Sequence, residues 1–315
     1  MKSTSSMWSR WSQSSMFRRK KFRLRLPTVA GLPSRTLLLG ERTLVMGVLN
    51  VTPDSFSDGG LFLDARRAVA RAFEIERAGA DILDIGGEST RPGAKPISAE
   101  VELRRVLPVL EKLRGRIKIP ISVDTSKAEV AEAAAAAGVQ ILNDVTALRR
   151  DPCLAEVARR RKMPLVLMHM RGEPRTMQKG PFARDVLRDV AAGLRRAVAR
   201  ARRAGIPKSQ IILDPGIGFG KTFEQNFEIL ARLPELARLG FPLLVAASRK
   251  RFISQALGGA PAAERQWGTA AAVAASILGG AHIVRVHSVA EMAQVARVAD
   301  AILRPRLVRS RAKSK

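Results

Sequence analysis

This 315-residue chain has no tyrosine, a single cysteine and no long apolar run. The scarcity of cysteine and of apolar runs excludes several classes of protein. The one cysteine, Cys153, cannot form an intramolecular disulfide, and no Cys and His residues follow a zinc-ligand spacing. A reducing compartment is the simplest interpretation. No apolar run approaches the roughly 18 residues that a membrane-spanning helix requires. We therefore expect no membrane as a partner.

Acidic residues are missing from both ends of the chain, although the net charge is +27. Residues 1–40 hold nine Lys and Arg side chains, and residues 304–315 hold six. Residues 41–303 hold 40 basic and 28 acidic side chains, a net charge of +12 that could steer an anionic substrate toward the protein. The basic ends predict, at most, non-specific binding of nucleic acid, because no nucleic-acid-binding motif or set of stacking aromatic residues accompanies them.

The first 42 residues have the composition of a segment outside the core. They are rich in Ser and Arg and resemble an organellar transit peptide in composition. A basic disordered extension and an upstream start codon assigned in error are the alternatives. We predict a basic, disordered extension over 1–42, a single domain over 43–303 and a basic tail over 304–315.

The core alternates short apolar runs with helical stretches rich in Ala, Arg and Glu. Near-continuous apolar strands that alternate with helices indicate a parallel sheet covered by helices. Eight such pairs favour a closed (β/α)8 barrel, or TIM barrel, over an open doubly wound sheet. The predicted strands are 43–51, 81–87, 120–125, 141–145, 164–170, 211–216, 242–248 and 281–287, and the predicted helices are 64–78, 98–114, 127–137, 152–161, 183–204, 223–239, 264–279 and 289–303.

Polar side chains close one predicted strand after another. In a (β/α)8 barrel these strand ends converge on one face, where active sites lie. Each residue alone could instead cap a helix or close a turn. Because polar residues end all eight strands, the pattern favours a polar site at the carboxyl ends of the strands, which we call the mouth of the barrel. The residues are Asn50, Asp84, Asp124, Asn143, His169, Asp214, Ser248 with Lys250, and Arg285 with His287.

The segment LDPGIGFGK, residues 213–221, resembles a phosphate-binding loop but does not match one. Pro215 stands where a P-loop needs its first glycine, and Lys221 stands where the dinucleotide pattern needs its third. Asp214 ends an apolar run in this segment, and a carboxylate is costly to bury without a partner. The segment therefore predicts a polar ligand for Asp214 rather than a nucleotide.

The motifs around these residues resemble those of the dihydropteroate synthase family. The resemblance covers about residues 42–303 and implies a (β/α)8 fold, a homodimer and Mg²⁺. It also implies the condensation of 6-hydroxymethyl-7,8-dihydropterin diphosphate with p-aminobenzoate to 7,8-dihydropteroate, a folate precursor, with release of pyrophosphate. The motifs, in order, are MGVLNVTPDSFSDGG (46–60), DIGGESTRPGA (84–94), SVDTSK (122–127), LNDV (142–145), LMHMRGEPRTMQ (167–178), LDPGIGFGK (213–221), SRK (248–250) and RVH (285–287).

By the same resemblance, residues at the polar mouth take substrate-binding roles. A buried carboxylate can accept hydrogen bonds from the ring N–H and the exocyclic amine of a pterin. The planar guanidinium of an arginine can donate two hydrogen bonds to a phosphate group. Mg²⁺ takes few protein ligands when substrate phosphates also bind it. Asn50 is the implied metal contact, and Asp124, Lys250 and Arg285 the implied catalytic residues. The implied pterin diphosphate site is Thr90, Asp124, Asn143, Met168, Asp214, Phe219, Lys250, Arg285 and His287, and the implied p-aminobenzoate site is Phe56, Thr90, Arg91, Pro92 and Ser248.

One position departs from the family pattern. Ser288 follows the RVH motif where the family usually has Asp, and since both residues cap helices we expect Ser288 to cap the helix after it. Residues 1–42 are too short for the pterin pyrophosphokinase domain of fused synthases, so we expect a stand-alone cytoplasmic enzyme rather than an organellar one. Pterin-binding methyltransferases that serve corrinoid proteins are the competing enzyme class, but they need no diphosphate site.

Overall fold

Short apolar segments within the described part of this chain form ten β-strands. The computed structural model describes residues 19–29, 35–52, 61–91, 93–173 and 175–305. The eight strands predicted from the sequence are all present, as β3 to β10. The strands are β1 (Phe22–Arg25), β2 (Thr36–Leu39), β3 (Leu44–Asn50), β4 (Ile82–Gly86), β5 (Ile121–Asp124), β6 (Ile141–Asp144), β7 (Leu165–Met168), β8 (Ile211–Asp214), β9 (Leu244–Val245) and β10 (Ile283–Val286).

The helices follow the strands in the predicted alternation. They cover the outside of the sheet, which explains why the strands are apolar on both faces. The helices within the described residues are α1 (Leu61–Arg77), α2 (Ala99–Leu113), α3 (Ala128–Ala136), α4 (Leu154–Arg160), α5 (Val186–Arg203), α6 (Phe223–Ala231), α7 (Leu233–Ala237), α8 (Arg251–Ala256), α9 (Gln266–Leu278) and α10 (Val289–Leu303).

Strands β3 to β10 form a parallel barrel, which confirms the predicted (β/α)8 class. Their order in the sheet is β8-β7-β6-β5-β4-β3-β10-β9. Leu213 of β8 pairs in parallel with Leu243, just before β9, and this contact brings the two edges of the sheet together. All eight carboxyl ends therefore meet at one mouth.

Two helices differ from the prediction. The helix predicted over 223–239 is divided into α6 and α7, because Pro234 lies at the start of α7 and cannot donate a backbone hydrogen bond to the preceding turn. The short helix α8 was not predicted, and it follows Lys250 directly. Both differences leave the mouth of the barrel in place.

The prediction that residues 1–42 form a disordered extension is wrong for the part that the structure describes. Strands β1 and β2 pair antiparallel, and their buried leucines Leu24 and Leu39 pack against the amino-terminal end of the barrel, beside Met46 and Ile82. Alternating apolar residues between the basic ones allow one face of this hairpin to be buried. Residues 1–18 and 306–315 lie outside the described residues.

Polar contacts also join the hairpin to the barrel. Arg19 is buried, and its guanidinium donates to Thr43 Oγ1 at 2.7 Å, to Ala281 O at 2.6 Å and to Asp300. His282 Nδ1 accepts from Leu243 N at 3.2 Å, and Nε2 lies 2.9 Å from Lys20 O. Burial lowers the pKa of His282 to about 4, so the ring stays neutral. These contacts give His282 a structural role.

Deleting residues 1–42 should destabilise the protein more strongly than deleting residues 1–18. The longer deletion removes Leu24, Leu26 and Leu39, which are at most 4 % exposed, and each buried leucine contributes roughly 1.5–3 kcal/mol. We expect the free energy of unfolding to fall by about 5 kcal/mol, measured by urea denaturation. Equal stability of the two deletion variants would contradict a structural role for the hairpin.

Candidate active site

The strand register places polar residues side by side at the mouth. Asn50 lies opposite Gly86, Gly86 opposite Asp124, and Asp124 opposite Asn143. Gly86 has no side chain, and a Cβ atom there would lie 3.5 Å from Asp124 Cβ and 3.8 Å from Asn50 Oδ1. The side chains of Asn50 and Asp124 therefore approach each other across Gly86.

Arg285 joins two carboxylates beneath this row. Its Nε donates to Asp84 Oδ2 at 2.6 Å, and its Nη2 donates to Asp124 Oδ2 at 2.9 Å. Asn143 Nδ2 donates to the same oxygen of Asp84 at 3.1 Å. These contacts use two of the five guanidinium N–H groups, so Arg285 can also meet an anion. The sequence placed Asp84 at a strand end without a role, and the structure makes it the base of this network.

Burial perturbs the charges of the network. It raises the pKa of Asp124 to about 7, and the neighbouring Arg285 only partly offsets this effect. Burial opposes the charge of Arg285, but Asp84 and Asp124 together raise its pKa above the usual value. The site thus holds a permanent cation between two carboxylates, one of which titrates near neutral pH.

Asp214 lies at the end of β8 with the glycine-rich segment folded around it. Its Oδ1 accepts from Gly216 N at 2.7 Å, and burial raises its pKa. Gly216 has φ +68° and passes so close to His169 that a Cβ atom would lie 1.8 Å from His169 O, so only glycine fits. Lys250 Nζ donates to Ile217 O, and burial lowers its pKa to about 8 although Asp214 opposes this shift.

An apolar wall stands next to these charges. Met168, buried at the end of β7, clusters with Val145, Met170 and Met177, and Phe219 packs against them. Lys250 Nζ lies 4.6 Å from the centroid of the Phe219 ring, a cation–π distance. A flat ring with polar edges would find both an apolar surface and charged groups here.

Lys221, which resembled a phosphate-binding lysine, is buried and fully engaged by the protein. Its Nζ donates to Gly216 O at 2.9 Å and Phe219 O at 3.0 Å and lies 3.1 Å from His169 Nδ1. Burial lowers the pKa of Lys221 to about 7 and that of His169 to about 4. His169 Nε2 faces Asp189 at 3.5 Å. Lys221 therefore holds the glycine-rich segment in shape, a role that the sequence did not indicate.

The remaining predicted residues that the structure describes lie on two groups of segments, those after β9 and β10 and the one after β4. Ser248 Oγ lies 3.0 Å from His287 Nδ1, and burial lowers the pKa of His287 to about 3. Thr90 and Arg91 lie on the segment after β4, and Thr90 and Asp124 both line a cavity of about 450 Å³. Phe56 and Pro92, both predicted for the p-aminobenzoate pocket, lie outside the described residues.

The geometry agrees with the match to known proteins. Residues 46–287 match the family described as pterin binding enzyme. The chain belongs to this family.

Similar proteins in the family support the match over most of the chain. A dihydropteroate synthase of Synechocystis is 50% identical over 265 residues, which cover 84% of this chain and 92% of the relative. The structure of Xanthomonas albilineans dihydropteroate synthase with 4-aminobenzoic acid superposes with a TM-score of 0.81 at 44% identity, covering 90% of this chain and 99% of that one. The same enzyme in complex with 7,8-dihydropteroate superposes with a TM-score of 0.74 at 38% identity, covering 85% and 96%.

Ser288 does not cap the following helix as predicted. It precedes α10 but its side chain makes no capping hydrogen bond; Ser288 Oγ instead accepts from Arg249 Nη2 at 2.8 Å. Arg249 adopts φ +58°, which turns the chain between Ser248 and Lys250. Ser288 therefore fixes a residue next to Lys250 rather than a helix end.

Changing Ser288 to the family's usual Asp should have a small effect. A carboxylate would form an ion pair with Arg249, and a half-exposed pair contributes about 0–1 kcal/mol. We expect the Michaelis constant for the diphosphate substrate to change less than about tenfold, or 1.4 kcal/mol. Steady-state kinetics of Ser288→Asp test this, with Ser288→Ala as the control. Complete loss of activity in Ser288→Asp would contradict the account.

Two absences within the described residues concern a membrane span and a metal site. Within these ranges, no helix combines the length and the apolar character that a transmembrane span requires. No three His, Cys, Asp or Glu residues in this part of the chain group as a metal site would require.

Proposed function

We propose that this protein is a dihydropteroate synthase, which joins 6-hydroxymethyl-7,8-dihydropterin diphosphate to p-aminobenzoate with release of pyrophosphate. The observation that carries the proposal is the convergence of the buried Asp124, Asn143 and Asp214 at the barrel mouth. The partly exposed Lys250 and Arg285 add two cations to the same mouth. Relatives that bind 4-aminobenzoic acid and 7,8-dihydropteroate support the choice of substrates.

The pterin ring binds between the apolar wall and the carboxylates. Asp214 accepts from the ring N–H and the exocyclic amine, and Asn143 and Asp124 complete the polar edge. Lys250, which bonds Ile217 O and lies over Phe219, donates to the acceptors of the ring. Because these groups are buried, a ring without matching donors leaves them unpaired and is rejected by a large factor.

The diphosphate leaves toward Arg285. The Asp84 and Asp124 carboxylates hold the guanidinium in place, and its remaining N–H groups face the developing charge on pyrophosphate. As the bond to pyrophosphate breaks, the carboxylate of Asp124 stabilises positive charge on the pterin methylene carbon. The neutral arylamine then attacks this carbon, and the ammonium group that forms loses a proton to solvent. Because the attacking nitrogen is already neutral, no strong general base is required.

Magnesium fits this site as an ion that the diphosphate of the substrate would bind together with one protein side chain. The amide oxygen of Asn50, half-buried next to Asp124, suits a cation that takes most of its ligands from phosphate and water. The ion would neutralise charge on the departing pyrophosphate. Asn50 would hold it, together with the diphosphate oxygens of the substrate.

A homodimer and a cytoplasmic location complete the proposal. Trp267 of α9 is 83% exposed, and Val298 and Ile302 of α10, a helix that packs against α9, are each 62% exposed; a second copy could cover these apolar side chains. Cys153 is an exposed free thiol, as a reducing cytoplasm permits. Sedimentation velocity tests the dimer, and a monomer at micromolar concentration would refute it.

The pH dependence should be bell-shaped. Asp124 acts as a carboxylate, and because its pKa is raised to about 7, activity falls as the pH drops below that value. Lys250 acts as an ammonium group, and because its pKa is lowered to about 8, activity falls as the pH rises above it. We expect kcat/KM for the pterin substrate to peak between about pH 7 and about pH 8. Lys250→Arg should move the alkaline limb upward, and an unmoved limb would contradict the assignment.

Product analysis tests the proposed function. Purified protein is incubated with the dihydropterin diphosphate, Mg²⁺ and p-aminobenzoate, and 7,8-dihydropteroate is measured by mass spectrometry. We expect its formation, and its loss on chelation of the metal. Tight binding of the pterin in calorimetry without any product would identify a pterin-binding protein of another activity.

A further inference from the structure

A second group of charges, buried except for the exposed Arg150, lies beside the mouth and has no part in the reaction described above. Lys127 Nζ donates to Glu88 Oε2 at 2.6 Å and also to Glu102 Oε2. Arg150 Nη1 reaches both oxygens of Glu88, at 3.1 and 3.2 Å. We call these four residues the Glu88 cluster. It contains two carboxylates and two cations, so its charge is balanced.

Glu88 closes the loop that follows β4. It lies two residues beyond that strand, and its Oε1 accepts from the backbone N–H of Ile97 at 3.1 Å. The side chain thus joins the start of the segment 89–96 to its end. This segment carries Thr90 and Arg91, two of the three described residues predicted to contact p-aminobenzoate; the third is Ser248.

Lys127 ties the same loop to the catalytic strand. It stands three residues after Asp124, and its side chain is 11% exposed. Its other partner, Glu102, is fully buried on α2, behind the loop. The packing is tight at this point, because a Cβ atom on Gly87 would lie 2.8 Å from Val106 and 3.0 Å from Glu102. The Glu88 cluster therefore connects β4, β5, α2 and, through Arg150, the segment after β6.

Stability alone does not account for such a cluster. Buried ion pairs are often no more stabilising than apolar residues of the same volume, and what they can add is a fixed geometry. Glu88 and Arg150 also line the same cavity as Thr90 and Asp124. A shift of the loop 89–96, which the cluster holds, would change the p-aminobenzoate pocket. It would leave the pterin-binding carboxylate Asp214 in place.

We infer that Glu88 and Lys127 are positioning residues that hold the loop 89–96 in the shape that binds p-aminobenzoate. The inference rests on the proposed function for the identity of the arylamine. A loosened loop should weaken binding of the amine more than binding of the pterin, because Thr90 is the one residue of this loop among the predicted pterin diphosphate contacts.

Glu88→Gln tests the inference without unfolding the protein. Glutamine keeps an oxygen for the Ile97 N–H, and Lys127 keeps its bond to Glu102, so no buried charge is left unpaired. We expect the Michaelis constant for p-aminobenzoate to rise about tenfold, with the pterin dissociation constant from calorimetry unchanged within about twofold. The matched control is Glu132→Gln, which loses surface ion pairs with Arg160 and Arg161 away from the mouth and should change neither constant.

Hydrogen exchange provides a readout that does not depend on activity. The amide of Ile97 should exchange faster in Glu88→Gln than in the wild-type protein or in Glu132→Gln, because the neutral acceptor holds it less tightly. Unchanged exchange, an unchanged Michaelis constant, or equal weakening of both substrates would each overturn the inference. If the wild-type protein forms no dihydropteroate, the proposed function fails, and the exchange rates still decide whether Glu88 clamps the loop.

Discussion

Replacing Asp214 with asparagine should lower kcat/KM for the dihydropterin diphosphate by about 10³-fold, or roughly 4 kcal/mol. An asparagine presents an N–H₂ donor or a single oxygen to a pterin edge that offers two donors, and at a buried site the mismatch cannot be relieved by water. Steady-state kinetics and pterin binding by calorimetry measure the effect.

The same substitution should not destabilise the protein. Burial raises the pKa of Asp214, which means that the fold disfavours its charged form. A neutral side chain of the same shape removes that penalty, so the melting temperature should stay constant or rise. The control is Asp81→Asn, which should keep full activity. Asp81 lies just before β4, at the end of the barrel away from the mouth, and pairs with Arg42. An inactive Asp214→Asn protein with a much lower melting temperature would indicate a structural role instead.

Replacing Arg285 with methionine should remove activity and also destabilise the fold by about 3–5 kcal/mol, since it leaves the buried carboxylates of Asp84 and Asp124 without their cation. Urea denaturation measures the loss. The largest part of the penalty comes from uncompensated charge, so the double variant Arg285→Met/Asp84→Asn should regain part of the stability while staying inactive. If the double variant were no more stable than the single one, the charge network would not be the cause.

The barrel could be predicted from the sequence because its pattern is local. Each strand is a short apolar run, each run ends in a polar residue, and eight repeats leave little choice of architecture. The polar mouth followed from the same pattern. Pro234 marks the break between α6 and α7, although the sequence pattern predicted one continuous helix over 223–239.

The features that could not be predicted depend on contacts between distant parts of the chain. Lys221 has the sequence context of a phosphate-binding lysine, and only its burial against Gly216 O and His169 shows that it serves the protein. Ser288 meets Arg249 across 39 residues of sequence. Asp84 looked like any strand-end carboxylate until Arg285 and Asn143 were found to converge on it.

The hairpin at the amino terminus escaped the prediction for a different reason. Basic residues alternate with Leu24 and Leu26, so the segment has the composition of an extension but the period of a strand. The structure shows that the period decided, because the apolar face of the hairpin covers one end of the barrel.

Release of pyrophosphate in the presence and absence of p-aminobenzoate tests the central claim most directly. The claim is transfer of the pterinylmethyl group from the pyrophosphate oxygen to the amine nitrogen at the mouth of this barrel. Without the amine, release should fall to background over many turnovers; with it, one pyrophosphate should appear for each 7,8-dihydropteroate formed. Release at the same rate without the amine would identify a hydrolase and contradict the account.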